Sequence, residues 1–390
     1  MRVANPQVSL PMQFLKLLLC CLFGALATVA AFAQTPPAIA ARAWALFDYG
    51  SGQVLASQNP DLLLEPASLT KVMTAYLAYS ALAENRLRAD QQVPVSERAW
   101  RMSGSRSFVD VNHPVAVDDL LKGMIIQSGN DAAVALAEAI NGSEDAFAAQ
   151  MNRQASRLGM RNTHFLNASG FFPGAQPQHY STARDLGILG AALIRDFPQS
   201  HALHAAKDYT FNGIRQYNRN RLLWLDPSAD GLKTGHSDAA GYCLIGTAKR
   251  GERRLISVVL GTASDDARTE ESLKLLNYGF QNFDGVKLYG KGQPVSQIKI
   301  FKGTEATVAA GFNDDFIVSL PAGIAKERIK AQLETRQPLL APVHKGTQMG
   351  TLKLLVDDKP WGQFPVYALH DVPLAGLIGR GWDTIRLWLQ

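Results

Sequence analysis

Three short strings stand in order along this 390-residue chain: Ser68-Leu69-Thr70-Lys71, Ser128-Gly129-Asn130 and Lys233-Thr234-Gly235. Together they supply a nucleophile, a proton-handling group and a clamp for a carboxylate. A serine enzyme that forms an acyl intermediate without a histidine–aspartate pair needs those parts. The strings are far apart in sequence, so a fold that uses them together must bring three distant segments to one cleft.

One string alone says little. Ser-x-x-Lys arises by chance about once or twice in a chain this long, and Lys-Thr-Gly in about one chain in ten. The ordered set is much rarer, and the surroundings of each string narrow it further. Glu65-Pro66-Ala67 breaks the chain before a helix expected from about Ser68 to Glu84, with apolar Leu69, Val72, Met73, Tyr76 and Leu77. Ser68 and Lys71 share one face of its first turn. The positive field of a helix N-terminus favours an alkoxide on the serine and a neutral amine on the lysine, and both are the reactive forms. Read alone, the pair is an N-cap serine with a solvated lysine. Helices from roughly Val117 to Gln127 and Asp131 to Ile140 flank Ser128-Gly129-Asn130, which places that string at a break where small polar side chains reach a cleft. In isolation it equally reads as a capping turn.

Hairpins and antiparallel runs sit at both ends of this region. Ala43–Tyr49 and Gln53–Ala56 pair around Gly50-Ser51-Gly52, and a second hairpin turns at Gly213. Strand-like runs cover Gly231–Gly235, Gly241–Lys249 and Leu255–Thr262, the last two joined at Arg250-Gly251-Glu252. Helices are expected after the Ser143 cap, over Thr182–Ile194 and over Asp266–Phe283, with a loop rich in Gly, Pro and aromatics from Asn167 to Ser181. This order predicts an α+β domain over residues 34–283, an antiparallel sheet flanked by helices rather than a doubly wound parallel sheet.

From about Asp284 the texture changes to short alternating strands such as Val295–Ile300 and Phe316–Leu320, separated by Gly, Pro and Asn-Asp turns. A small all-β domain is expected over residues 284–370. Over residues 371–390, Leu374, Leu377, Ile378, Trp382, Ile385, Trp388 and Leu389 form one helical stripe, with Arg380, Asp383 and Arg386 off it. The stretch is too short and too polar to span a bilayer and fits a helix lying in the membrane interface. The competing reading is a helix packed on its own domain.

At the other end, Arg2 and Lys16 precede the apolar run Leu17–Phe23, and Ala31-Phe32-Ala33 has the small-x-small pattern of a signal-peptidase site. A leader over residues 1–33 is expected, with an uncleaved anchor as the alternative. Its removal lowers the net formal charge from +5 to +3, too mild to argue for nucleic acid. Cys243 is then the one remaining cysteine and sits in an apolar run, as a small buried hydrophobe would. The eight histidines show no metal-ligand spacing, so neither metal nor cofactor is expected.

The extended strings Pro66–Lys71, Gln127–Asp131 and Gly231–His236, with Phe211–Gln216 and Asn218-Arg219-Asn220, carry a resemblance. The chain resembles the low-molecular-mass penicillin-binding proteins, the serine-type D-alanyl-D-alanine carboxypeptidases of bacterial cell walls, from about Ala43 to its C-terminus. The resemblance implies a helix-covered antiparallel sheet, then a β-rich domain and an amphipathic anchor. It implies a catalytic set of Ser68 as nucleophile, Lys71 as base, Ser128 as proton relay, Asn130 holding the substrate amide, and Lys233. It implies substrate contacts from Lys233, Thr234, Gly235, His236, Arg219 and Arg268, with the N–H groups of Ser68 and His236 as oxyanion hole. A lone surface arginine is the alternative for Arg268. The implied substrate is the peptidoglycan pentapeptide, with β-lactams as covalent inhibitors, and the implied place is the periplasmic face of the inner membrane, held peripherally.

The chemistry agrees with that resemblance. A substrate ending in a carboxylate must meet cations, and Lys233 and Arg219 are available. Three other functions compete: a D,D-endopeptidase of the same family, a class A-like β-lactamase, and a wall-binding protein with a decayed site. A lactamase normally adds a glutamate for deacylation, and no Glu-x-x-Leu-Asn string lies between Asn130 and Lys233.

Overall fold

A computed structural model describes residues 35–388, so the expected leader lies outside the described residues. The first domain is built on a five-stranded, wholly antiparallel sheet. Its strands are β1 (Ala43–Asp48), β2 (Val54–Gln58), β3 (Ala229–Ser237), β4 (Gly241–Arg250) and β5 (Arg253–Thr262), in the order β2-β1-β5-β4-β3. Five helices of twelve or more residues accompany it: α1 (Lys71–Ala83), α2 (Asn130–Asn141), α3 (Glu144–Leu158), α4 (Ala183–Asp196) and α5 (Asp265–Asn282).

Both faces of the sheet are covered, and two glycines show how. Successive residues of a strand point to opposite faces. Beside Phe47 of β1 lies Gly187 of α4, where an added Cβ would come within 2.1 Å of the ring. Beside Leu46 lies Gly279 of α5, where a Cβ would come within 2.8 Å of the leucine. The two helices therefore press on opposite faces, each through a position that tolerates no side chain. A sheet covered on both sides needs strands apolar along their length, and β1 is buried at all six residues.

The caps form as the side chains dictate. Ser143, Thr182 and Ser264 each accept a hydrogen bond from the backbone N–H three residues on. One helix start and one helix end differ from expectation. Ala67–Thr70 is a 3₁₀ turn, entered through Ala67 at φ 45°, and the α-helix proper begins at Lys71. The helix from Val117 is regular only to Lys122, widens to a π-turn over Gly123–Gln127, and stops at Ser128 in the left-handed region. Both irregularities carry the sequence strings, as π-turns at functional positions commonly do.

The second domain has β6 (Phe283–Tyr289) paired with β9 (Phe316–Pro321), beside a five-stranded antiparallel sheet. That sheet comprises β7 (Pro294–Lys299), β8 (Thr307–Gly311), β10 (Ile329–Thr335), β11 (Gln348–Val356) and β12 (Lys359–Ala368), in the order β7-β8-β12-β11-β10. The chain stays tied to this domain beyond Leu369. Val372 is buried and exchanges backbone hydrogen bonds with Val343, and Ala375 N–H donates to the Lys302 carbonyl. The helix expected from residue 371 accordingly begins only at Leu377, as α6 (Leu377–Trp388). Asp383 on α6 accepts from the Lys302 N–H at 2.6 Å, while Leu377, Ile378, Trp382 and Trp388 are exposed.

Candidate active site

A cleft of about 1030 Å³ opens at the edge of the first domain's sheet. Ser68, Ser128, Asn130, Arg219, Thr234, Gly235, His236 and Arg268 all line it, so three segments distant in sequence meet as the strings require. Strand β3 runs directly over the 3₁₀ turn that carries Ser68. A Cβ on Gly235 would lie 2.9 Å from the Pro66 carbonyl oxygen and 3.2 Å from the Leu69 backbone nitrogen. Glycine at that position is what lets the strand approach the turn that carries Ser68.

Lys71 is 1% exposed and lies beneath the cleft floor. Its Nζ is 3.0 Å from Ser68 Oγ, 2.6 Å from Asn130 Oδ1 and 2.8 Å from the Ser169 carbonyl. Burial pulls this amine down to about 7, with the Asp131 carboxylate opposing and the Arg219 cation assisting. Asn130 is held at both ends, since its Nδ2 donates to the Ser103 carbonyl at 2.6 Å.

The segment Gly104–Val109 wraps over the Ser128 string. Asp131, fully buried, accepts from the backbone N–H groups of Ser107, Phe108 and Val109 and from that of Ala132. The fit is close: a Cβ on Gly129 would lie 1.9 Å from Ser107 Oγ. Ser128 thus reaches the cleft from a left-handed residue fixed on both sides.

Lys233 differs from its neighbours. It is buried, its Nζ donates to the Thr234 carbonyl at 3.0 Å, and it is not among the cleft-lining residues. Burial, then the cations of Lys71, Arg268 and Arg219, hold its amine well below the usual lysine range. Lys233 thus lies behind the cleft wall, which Arg219, Thr234 and Arg268 line. Arg219 is exposed there. Arg268 is no lone surface arginine: it is 5% exposed, donates to the Gly235 carbonyl at 3.0 Å, pairs with Asp265 and lies over the Tyr242 ring.

A family model described as D-alanyl-D-alanine carboxypeptidase, Peptidase S11, matches residues 30–264, and one for the C-terminal domain of penicillin-binding protein 5 matches residues 283–374. The chain belongs to the Peptidase S11 family. It is 40% identical over 358 residues to the D-alanyl-D-alanine carboxypeptidase DacC of Escherichia coli (strain K12), covering 90% of this chain and 89% of that protein. Penicillin-binding protein 5 from Haemophilus influenzae superposes with a TM-score of 0.81 at 39% identity, over 87% of this chain and 100% of that one. Penicillin-binding protein D2 from Listeria monocytogenes, in its ampicillin-bound form, matches at 34% identity and a TM-score of 0.58, over 63% of this chain and 100% of that one.

Within this Peptidase S11 site, four contributors escaped the sequence reading. Asp131 stood inside a quoted string but without a role. Glu144 follows the Ser143 cap in the first turn of α3, yet it is 4% exposed and holds Ala168 N–H with one oxygen and Arg98 with the other. Ser169 offers only a carbonyl, which no sequence pattern marks. His179 was one histidine in an irregular loop.

Proposed function

We propose that the cleft removes the terminal D-alanine from peptidoglycan pentapeptide stems through an acyl-enzyme on Ser68. The seating of the Lys71 amine carries this reading. A neutral amine has two N–H bonds and one lone pair. Asn130 Oδ1 at 2.6 Å and the Ser169 carbonyl at 2.8 Å take the two N–H bonds, which leaves the lone pair for the Ser68 hydroxyl at 3.0 Å. Lys71 takes that proton as Ser68 Oγ attacks the carbonyl between the two D-alanines. The oxyanion is met by the N–H groups of Ser68 and His236, each worth about 3–4 kcal/mol. The C–N bond then breaks, Ser128 passes a proton to the departing amine, and water hydrolyses the ester on Ser68. Arg219 and Thr234 meet the substrate carboxylate, with the Lys233 amine behind them, and Arg268 holds the Gly235 carbonyl in place.

The same attack opens a β-lactam ring and leaves a penicilloyl ester. Rapid loss of that ester would need a base for water, and the two buried carboxylates nearest Lys71 are occupied. Asp131 is filled by backbone N–H groups and Glu144 by Ala168 and Arg98. That favours a slowly released adduct over lactamase turnover.

The setting we propose is the periplasmic face of the inner membrane, reached through the leader at residues 1–33. Among the described residues no helix is long and apolar enough to cross a membrane. The support for surface attachment is the orientation of α6: Asp383 faces the β domain while Ile378, 91% exposed, and Trp388, 87% exposed, face away.

The test is to incubate the full chain with a pentapeptide and with a crosslinked dimer, and to measure free D-alanine and released monomer. Free D-alanine, with penicillin label mapped to Ser68, supports the reading. Monomer without D-alanine would make it an endopeptidase, and label on another residue would move the nucleophile.

A further inference from the structure

His179 is 1% exposed and takes no part in the steps above, yet it touches the segment that carries the nucleophile. Its Nε2 lies 2.8 Å from Thr70 Oγ1, one residue before Lys71. Its Nδ1 accepts from the Leu166 backbone N–H at 2.9 Å. That second bond fixes the tautomer: Nδ1 has no proton, so Nε2 carries it and donates to the threonine. The rings of Phe165 and Phe172 flank the imidazole edge to face, with centroids at 5.8 and 5.1 Å.

We infer that His179 is a positioning residue that pins the loop 165–181 against the Ser68–Lys71 turn, and so sets where the Ser169 carbonyl meets the Lys71 amine. The inference rests on the roles given above to Ser68 and Lys71. Three observations support it. Loop and turn are in close contact, because a Cβ on Gly170 would lie 1.9 Å from the Ala67 carbonyl oxygen and 2.5 Å from Thr70 Oγ1. Lys71 Nζ and Thr74 Oγ1 bond the Ser169 and Ala168 carbonyls on one strand of the loop. On the returning strand, Gln176 and Ser181 bond Glu65 and Leu64, short of the turn, and His179 ties that strand to Thr70 within it. Burial also pulls the imidazole down to about 3, so it stays neutral and its donor is present throughout the working pH range.

The consequence concerns the base. The Lys71 pKa is lowered chiefly by exclusion of water, against Asp131 on α2 and Glu144 on α3, with the Arg219 cation assisting and the Lys233 amine also facing it. His164 is the titratable group facing His179 from its own loop. A loosened loop admits water to Lys71 Nζ, and its pKa rises toward the ordinary lysine range.

The experiment uses the full chain with His179→Phe, which keeps a ring but loses both hydrogen bonds, and His179→Gln, whose amide keeps a donor toward Thr70. Acylation by benzylpenicillin and kcat/KM on a D-Ala-D-Ala peptide are followed from pH 5 to 10, alongside thermal unfolding. We expect His179→Phe to lower acylation about 10- to 100-fold at pH 7 and to move the acid limb of the profile upward by about one pH unit. KM should change little, and His179→Gln should recover most of the rate and the native limb. Thr70→Val should give the same upward move, and combining it with His179→Phe should add little. A folded His179→Phe protein whose acid limb is unmoved overturns the inference, as does a rate loss that only tracks the unfolded fraction. Failure of the underlying reading looks different: the native protein would show no acid limb near 7, or Ser68→Ala would still be labelled.

Discussion

Strand β4 is buried along six consecutive residues, Cys243–Ala248, while in β11 the buried Met349, Leu352, Leu354 and Val356 alternate with half-exposed neighbours. The first pattern belongs to a sheet covered on both faces and the second to one that meets water on a face. The contrast extends to polar groups. The first domain buries Lys71, Asp131, Glu144, His179, His201, His204, Lys233 and Arg268, whereas Ser319 is the buried polar residue of the second among the described residues. A two-sided core excludes enough water to shift a lysine to about 7. A one-sided sheet leaves its charges in solvent. Chemistry that needs a neutral amine therefore resides in the first domain.

The sharpest way to break this comparison is Ser68→Ala. It should reduce peptide cleavage by at least about 10³-fold and abolish covalent penicillin labelling, with thermal unfolding nearly unchanged. Residual labelling on the second domain, seen by peptide mapping, would separate function from the buried site.

Next in size is a pair of acid removals. Asp131→Ala strands several buried backbone N–H groups and should cost about 3–5 kcal/mol in chemical denaturation. Asp357→Ala removes the partner of Arg328 on the second domain, with the arginine half exposed and screened by solvent, and should leave the denaturation midpoint nearly unchanged. Similar costs would show that burial does not distinguish the domains.

The two domains should also part on mild acidification. His179, His201 and His204 are held down by burial to about 3, 4 and 3. Their folded values lie below the unfolded value near 6.5, so their contribution is complete above pH 6.5 and is lost as pH falls. By pH 5, above most carboxylate titration, the loss should be about 1–2 kcal/mol per histidine. The second domain has no buried histidine among the described residues. Domain-resolved hydrogen exchange at pH 7 and 5 would detect the difference, and equal acid sensitivity would refute it.

The smallest expected effect is that of Arg219→Ala. Exposed on the cleft wall, it should lower kcat/KM for a free-acid peptide about 10- to 100-fold and leave unfolding unchanged. If the native enzyme cuts the amidated peptide equally fast, the cation does not read the carboxylate.

The strings, the cap at Ser143, and the change of texture near Asp284 were all legible in the sequence. Each depends on local chemistry: a hydroxyl that caps, an apolar period, a glycine at a turn. Tertiary structure decided the rest. The sequence spacing placed Ser68 and Lys71 on one face, but the lowered pKa of the amine comes from burial among distant segments, with the Arg219 cation assisting. The Lys233 string announced two cleft residues, while only packing decided that the Lys233 side chain is buried against the Thr234 carbonyl and that Thr234 and Arg219 line the wall. Arg268 and His179 had no periodic signal, because their partners are a strand carbonyl and a threonine in other segments. Residue types and their order are properties of the chain. Water exclusion, and with it the protonation state of a buried group, exists only once those segments have packed together.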